Sequence, residues 1–287
     1  MFQLASVALH VNDLETSLHF FVDLLGFPLQ ERHPDGARAL LLDLAGTPLL
    51  LAGPGETDLT SYLTESPVVL TLAGSDTVIG FLVEDLDVLA ARLHEQGVEP
   101  MGPIEDRFVD RLLAVRDPNG YTLNFLSLKA LSPEELTTRY AHLVDRLEAT
   151  LVNLPETGWN LSREAGSWTI RQIVHHLADS ETLFLQSIRT ILMEPGRSYH
   201  QNWPASNEVV STSMFLERPV ASSLMFLRAS HEYIVHLLHA APGAWDRRVL
   251  DQGRGGHEMD LREIFTTILA HMQEHLEEIQ AIRQRHE

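Results

Sequence analysis

The period of the apolar residues changes once, abruptly, near Lys129. Before that point short β-rich runs alternate with two amphipathic stretches, punctuated by turn sequences such as Pro34-Asp35-Gly36 and Asp117-Pro118-Asn119-Gly120. After it, apolar residues recur at steps of three and four through four long segments. A two-residue period suits strands and a 3.6-residue period suits helices, so two domains of different class are expected. With 287 residues, each can bury its own core. The division expected is an α+β domain over residues 1–129 and an all-α four-helix bundle over residues 130–287.

In the first domain the strand candidates are Leu4 to Val11, Arg38 to Leu44, Thr47 to Leu51, Val78 to Val83, Arg111 to Val115 and Thr122 to Leu128. Helices are expected over Leu14 to Leu25 and Leu86 to Gln96, the second closed by Gly97. Asn12-Asp13-Leu14-Glu15 and Glu84-Asp85-Leu86-Asp87 open the two helices about 72 residues apart, so the domain reads as a duplicated βαβββ unit. The segment Val11-Asn12-Asp13-Leu14-Glu15-Thr16-Ser17-Leu18-His19-Phe20-Phe21, with Leu24-Leu25-Gly26-Phe27 and Asp117-Pro118-Asn119-Gly120, resembles the vicinal-oxygen-chelate superfamily of glyoxalases, bleomycin-resistance proteins and extradiol dioxygenases over about residues 2–128. The resemblance implies a paired βαβββ, glyoxalase-like fold.

The bundle opens at Ser132-Pro133-Glu134-Glu135, which has an N-cap serine, a proline at the first helical position and a glutamate in capping-box spacing. Three more helices are expected: Thr169 to about Met193, Pro219 to His239, and Leu261 to about Arg285. Together they suggest an antiparallel bundle. The connection from Pro195 to Arg218 is longer than such a bundle needs. Gln252-Gly253-Arg254-Gly255-Gly256 is too irregular for a phosphate loop and reads as a hairpin turn.

On the last helix the stripe Leu261, Ile264, Ile268, His271, His275, Ile279, Ile282 carries two histidines where apolar residues belong. Residues at i and i+4 share a face, so His271 and His275 can ligate one metal ion, and they read equally as a core hydrogen-bonded pair. The run His271-Met272-Gln273-Glu274-His275 also fits the H-x-x-E-H pattern of inverzincin proteases, with Glu274 as general base. That class needs a further carboxylate ligand well downstream. On the second helix His176 lies beside the seam Ile170, Ile173, Leu177, Phe184, Ile188, whereas His175 falls with Arg171 and Asp179 on a more polar side. Three histidines from two helices would leave open positions for water or substrate.

The segment Gly166-Ser167-Trp168-Thr169-Ile170-Arg171-Gln172-Ile173-Val174-His175-His176-Leu177-Ala178-Asp179-Ser180, with His271-Met272-Gln273-Glu274-His275, resembles the DinB/YfiT-like superfamily over about residues 130–287. The resemblance implies a three-histidine metal site on His176, His271 and His275, with a divalent metal, zinc or nickel. It also implies a hydrolase, or a transferase that uses a low-molecular-weight thiol such as bacillithiol, mycothiol or glutathione, acting on a small electrophile. Asp179, one turn after His176, reads either as an acceptor that orients a ligand imidazole or as a solvated surface group. His231 reads as a core histidine or a fourth ligand, and Trp168 and Trp203 as packing residues or as the mouth of a pocket.

In the first domain the vicinal-oxygen-chelate ligands fall on Ser6, Val78 and Asn124, of which valine cannot ligate and the others offer weak neutral oxygens. His10 shares the face of Ser6 without partners. A metal-free domain that dimerises the chain or sequesters a toxic small molecule is expected there, and sequestration is the alternative to enzymatic function for the whole chain. Net charge narrows the partners: −19, one lysine (Lys129) and dispersed arginines disfavour nucleic acid and membrane surfaces. The apolar, charge-free stretch Leu44 to Gly55 is broken by two prolines and too short to span a bilayer. Met1-Phe2-Gln3-Leu4 shows no secretory signal, so a cytoplasmic location is expected. With no cysteine in the chain, any thiol chemistry must use a thiol brought by a substrate.

Overall fold

A computed structural model of the chain describes residues 7–33, 36–42, 48–55, 69–71, 78–199, 215–216, 218–252 and 257–286. The chain divides into two compact units, Met1–Ala130 and Leu131–Glu287.

The first unit contains the same five-element pattern twice. β1 (Val7–His10), α1 (Leu14–Leu18), β2 (Leu29–Arg32), β3 (Arg38–Leu42) and β4 (Pro48–Ala52) form a sheet in the order β2-β3-β4-β1, extended at its edge by β5 (Val69–Thr71). β6 (Val78–Leu82), α2 (Leu86–Glu95), β7 (Glu105–Asp106), β8 (Asp110–Arg116) and β9 (Thr122–Leu128) give the matching order β6-β9-β8-β7. In both repeats the first strand runs parallel to the last, β1 with β4 and β6 with β9. Asp13 caps α1 by accepting the Thr16 amide, and Asp85 caps α2 by accepting those of Asp87 and Val88. Gly26 and Gly97 end the two helical segments with φ of 81° and 71°, which favour glycine.

One core serves both repeats. The rings of Phe21, Phe27, Phe81 and Phe125 follow one another at 5.5, 5.2 and 5.6 Å between centroids. Those contacts explain a departure from the expected helix Leu14 to Leu25. After Leu18 the chain winds as a π-helix over His19–Leu24, with the Leu25 amide bonded to the Phe20 carbonyl five residues back. The wider turn lets adjacent Phe20 and Phe21 both go inward. The Asp117-to-Gly120 turn ties the repeats together: Asp117 accepts the amides of Asn119 and Tyr121, and Asn119 accepts the Asn12 amide while donating to Ser17 Oγ.

The second unit is built on α3 (Pro133–Leu151), α4 (Ile170–Met193), α5 (Val220–Ala240) and α6 (Leu261–His286). Ser132 with Glu135 and Thr169 with Gln172 form complete capping boxes, and the Asp260 carboxylate accepts the Glu263 amide to start α6. A small sheet, β10 (Ser198–Tyr199), β11 (Arg248–Asp251) and β12 (His257–Asp260), sits between these helices in sequence. β11 and β12 pair antiparallel from Arg248↔Asp260 to Asp251↔His257; residues 253–256 of the expected hairpin turn lie outside the described residues. A simple up-and-down bundle would set α3 beside α4. Here each packs on both α5 and α6, so α3 and α4 lie diagonally, an arrangement the long connection over residues 152–169 permits. Among the described residues no helix is long and apolar enough to cross a membrane.

Candidate metal centre

The capping box at Thr169 fixes where α4 begins, which puts Trp168 just ahead of the helix and His176 two turns into it. On α6 the buried stripe Leu261, Ile264, Ile268, Met272, Leu276, Ile279, Ile282 holds the helix against its neighbours, and His271 and His275 emerge half-buried at its border. α4 and α6 pack together, and the three imidazoles meet between them.

Ring centroids are 5.0 Å apart for His176 and His271, 5.1 Å for His176 and His275, and 4.8 Å for His271 and His275. One nitrogen from each ring lies within 4.8 Å of the others, and the Nε2 atoms of His176 and His271 are 2.9 Å apart. At that distance one Nε2 must donate and the other accept, so the two rings cannot both be imidazolium. Burial first, then the neighbouring imidazole of His275, lowers the pKa of His176 to about 4 and that of His271 to about 3. Both rings are therefore neutral at pH 7, the form in which imidazole binds metal.

Glu278, three residues after His275, accepts its Nδ1–H at 3.0 Å, which leaves Nε2 for the cluster. This carboxylate was not among the expected site residues, although the spacing His275-x-x-Glu278 carries it in plain sight. Trp168 covers the cluster, its indole 4.7 Å from the His176 ring and parallel to His275 at 6.1 Å; Phe184 contacts His271 at 6.1 Å. Trp203 lies outside the described residues.

Other expected residues are placed elsewhere. His175 is fully buried rather than on a polar side: its Nδ1 meets Ser223 Oγ of α5 at 2.8 Å and its Nε2 the Arg218 carbonyl at 3.1 Å. The Asp179 carboxylate is held by both Nη atoms of Arg218, at 3.1 and 3.2 Å, and reaches His176 through its charge alone. His231 is a core histidine, 2% exposed, stacked on Tyr140 with Nδ1 donating to the Tyr140 carbonyl. Glu274 is exposed and outside the cluster, so it does not supply the base of an inverzincin site. In the first unit Val78 is exposed, Asn124 is half-buried in β9, His10 is half-buried at the end of β1, and Ser6 lies outside the described residues. Among the described residues His176, His271 and His275 form the group of three or more metal-binding side chains close enough to share an ion.

Residues 126–279, more than half of the chain, match the DinB superfamily. The chain belongs to the DinB superfamily. Ahead of that region, residues 3–125 match the Glyoxalase/Bleomycin resistance protein/Dioxygenase superfamily. The chain is similar to a "putative metal-dependent hydrolase" of Geobacillus thermodenitrificans, 25% identical over 171 residues that cover 60% of this chain and 95% of the relative. Among solved structures, YfiT from Bacillus subtilis is 18% identical with a TM-score of 0.49, covering 55% of this chain and 91% of YfiT. A glyoxylase/bleomycin resistance protein/dioxygenase domain from Frankia sp. EAN1pec is 24% identical with a TM-score of 0.35, covering 46% of this chain and 96% of that domain.

Proposed function

We propose that this DinB-family chain is a metal-dependent enzyme in which His176, His271 and His275 hold one divalent ion, zinc or nickel, and that it transfers a nucleophile, water or a low-molecular-weight thiol, to a small electrophile. The observation that carries this reading is the convergence of three nitrogens from two helices within 4.8 Å. The donor set fits: three imidazoles suit zinc, nickel, copper or iron rather than magnesium or calcium. The His271 Nδ1, buried without a hydrogen-bond partner, is a polar atom that a purely apolar core position would not carry. The name of the Geobacillus relative points the same way.

When bound, a divalent ion supplies Lewis acidity that shifts a nearby water or thiol toward its ionised, nucleophilic form. The chain's own groups prepare the place. Glu278 fixes the tautomer and angle of His275. Trp168 and Phe184 present aromatic surface beside the cluster, which limits bulk water and strengthens the electrostatics within. The His275 side chain is 13% exposed.

A generic electrophile offered with bacillithiol, mycothiol or glutathione in turn, or with water alone, tests the reaction. A free thiol of pKa about 8.5 is only a few per cent ionised at pH 7, so chelation is expected to lower thiol-dependent turnover by up to about thirtyfold. Chelator-sensitive turnover with one thiol assigns thiol transfer, and chelator-sensitive turnover with water alone assigns hydrolysis. Turnover unaffected by chelation with every nucleophile contradicts the reading.

The first unit is proposed to dimerise the chain. Val78 and Leu82 of β6 and Leu128 of β9 lie on one face of their sheet and are 55%, 50% and 55% exposed. Leu82→Glu is expected to convert a dimer to a monomer in light scattering, and an unchanged mass would exclude this face. If the face instead sequesters a small apolar molecule, the variant loses that ligand without changing mass. A net charge of −19 supports a small-molecule partner over nucleic acid or anionic membrane.

A further inference from the structure

Trp168 touches a candidate ligand from each of the two helices that form the metal centre. Its indole meets the His176 ring of α4 edge to face at 4.7 Å between centroids, and lies within 11° of parallel to the His275 ring of α6 at 6.1 Å. The indole is half-buried. Among the described residues its N–H has no hydrogen-bond partner, and no further aromatic ring or guanidinium packs on it. A tryptophan that serves packing alone is highly buried, and its N–H usually finds an acceptor.

The indole is held in place by its backbone. Trp168 ends a loop closed by the Ser162↔Thr169 bridge and by the Ile170 amide, which donates to the Leu161 carbonyl at 3.0 Å. Within the loop Gly166 turns the chain at φ 87°, the Ser167 amide donates to the Glu164 carbonyl at 3.1 Å, and the Glu164 amide donates to Ser167 Oγ at 3.0 Å. The last turn of α6 ties the loop from the other side: Arg285 Nη1 donates to the Arg163 carbonyl and His286 Nε2 to that of Ser162. The loop is thus continuous with α4 and bonded to α6, the helices that supply the histidines. Little ordering of Trp168 remains to be done when a ligand arrives.

We infer that Trp168 determines specificity at this centre, its indole being the surface on which a flat, uncharged, conjugated small molecule lies beside the histidine cluster. The inference rests on the metal-dependent reading and names the class of electrophile that the site takes. Offset stacking on an indole adds attraction beyond the area buried, and only a flat partner gains it in full. A cation is also drawn to an aromatic face, but a divalent ion held by the same histidines repels it.

The test sets coumarin, a flat conjugated lactone, against cyclohexanone, a puckered ketone that also offers a carbonyl acceptor. Each is titrated calorimetrically into the full-length, zinc-loaded protein. Coumarin is expected to bind at least about tenfold more tightly than cyclohexanone. Trp168→Leu should weaken coumarin at least about tenfold, within the range for bases stacked on aromatic side chains, and leave cyclohexanone within about twofold. Trp168→Phe keeps a flat ring in the wall and should recover part of the loss, which a general loss of structure would not allow. The same titrations on chelator-treated protein separate this inference from the reading it rests on. Coumarin binding that persists there and falls in Trp168→Leu upholds the role of Trp168 even where turnover proves independent of metal. Coumarin binding that is absent, no tighter than that of cyclohexanone, or unchanged in Trp168→Leu overturns the role of Trp168 and leaves the metal ligands standing.

Discussion

His271→Ala is expected to reduce the divalent metal that co-purifies with the protein from about one equivalent to background, measured by elemental analysis. His271 meets both partners, its ring lying 5.0 Å from His176 and 4.8 Å from His275, so its loss leaves two nitrogens from different helices. Removing only an outer partner of a metal ligand typically lowers affinity about 10- to 100-fold, and loss of the ligand itself should exceed that. Stability supplies a second readout. An ion that binds only the folded state at about 100 times its dissociation constant contributes roughly 2.7 kcal/mol, so a chelator should lower the Tm of the wild type and leave that of His271→Ala unmoved. A pH signature follows in the metal-free protein. His176 and His271 have folded pKa values of about 4 and about 3, below the 6.5 of an unfolded histidine. The unfolded chain therefore takes up protons that the folded chain refuses, so their contribution is present above pH 6.5 and is lost as pH falls toward those values. His271→Ala should make that acid slope shallower. Full metal occupancy in the variant, or a Tm equally sensitive to chelation, would sink the assignment of these ligands.

What was legible in the sequence was what local rules determine. The capping boxes at Ser132 and Thr169 placed the starts of α3 and α4, and the stripe on α6 placed His271 and His275 one turn apart on one face. The duplicated first unit could be read because Asp13 and Asp85 cap equivalent helices. Features set by contacts distant in sequence could not be read. The π-helical winding at His19–Leu24 depends on Phe27 and, through it, Phe81 of the second repeat. β2 has all four residues exposed at the sheet edge, so it lacks the alternation that marks a half-buried strand. His175 looked polar from its helical neighbours, yet Ser223 and the Arg218 carbonyl bury it. The diagonal placement of α3 and α4 is a property of packing, which a helical period does not encode.

A second large effect is expected far from the metal centre, at Glu181. Its carboxylate is 2% exposed in the middle of the bundle, where Tyr140 of α3 donates to Oε1 at 2.6 Å, Ser230 Oγ of α5 lies 3.2 Å from the same oxygen, and His231 Nε2 is 3.6 Å from Oε2. His231 Nδ1 faces the Tyr140 carbonyl, which can only accept, so that nitrogen carries a proton. Glu181→Ala removes the acceptor shared by two other helices and leaves a cavity among buried polar groups, a loss of about 3–5 kcal/mol. For a unit of this size that corresponds to roughly 10 °C in Tm. Glu181→Gln keeps an acceptor for Tyr140 and should cost less than half as much, whereas a cavity effect alone would leave Gln near wild type and make Glu181→Met equally mild. The alkaline limb separates the electrostatic part. Burial first, and then the charge of Glu181, hold the Tyr140 pKa well above 10, so the folded chain keeps a proton that the unfolded chain releases above pH 10. This contribution is present below pH 10 and is lost as pH rises beyond it, and Tyr140→Phe should abolish that part of the alkaline loss. If Glu181→Ala and wild type denature at the same urea concentration, the network contributes nothing to stability and the bundle is held by its apolar layers alone.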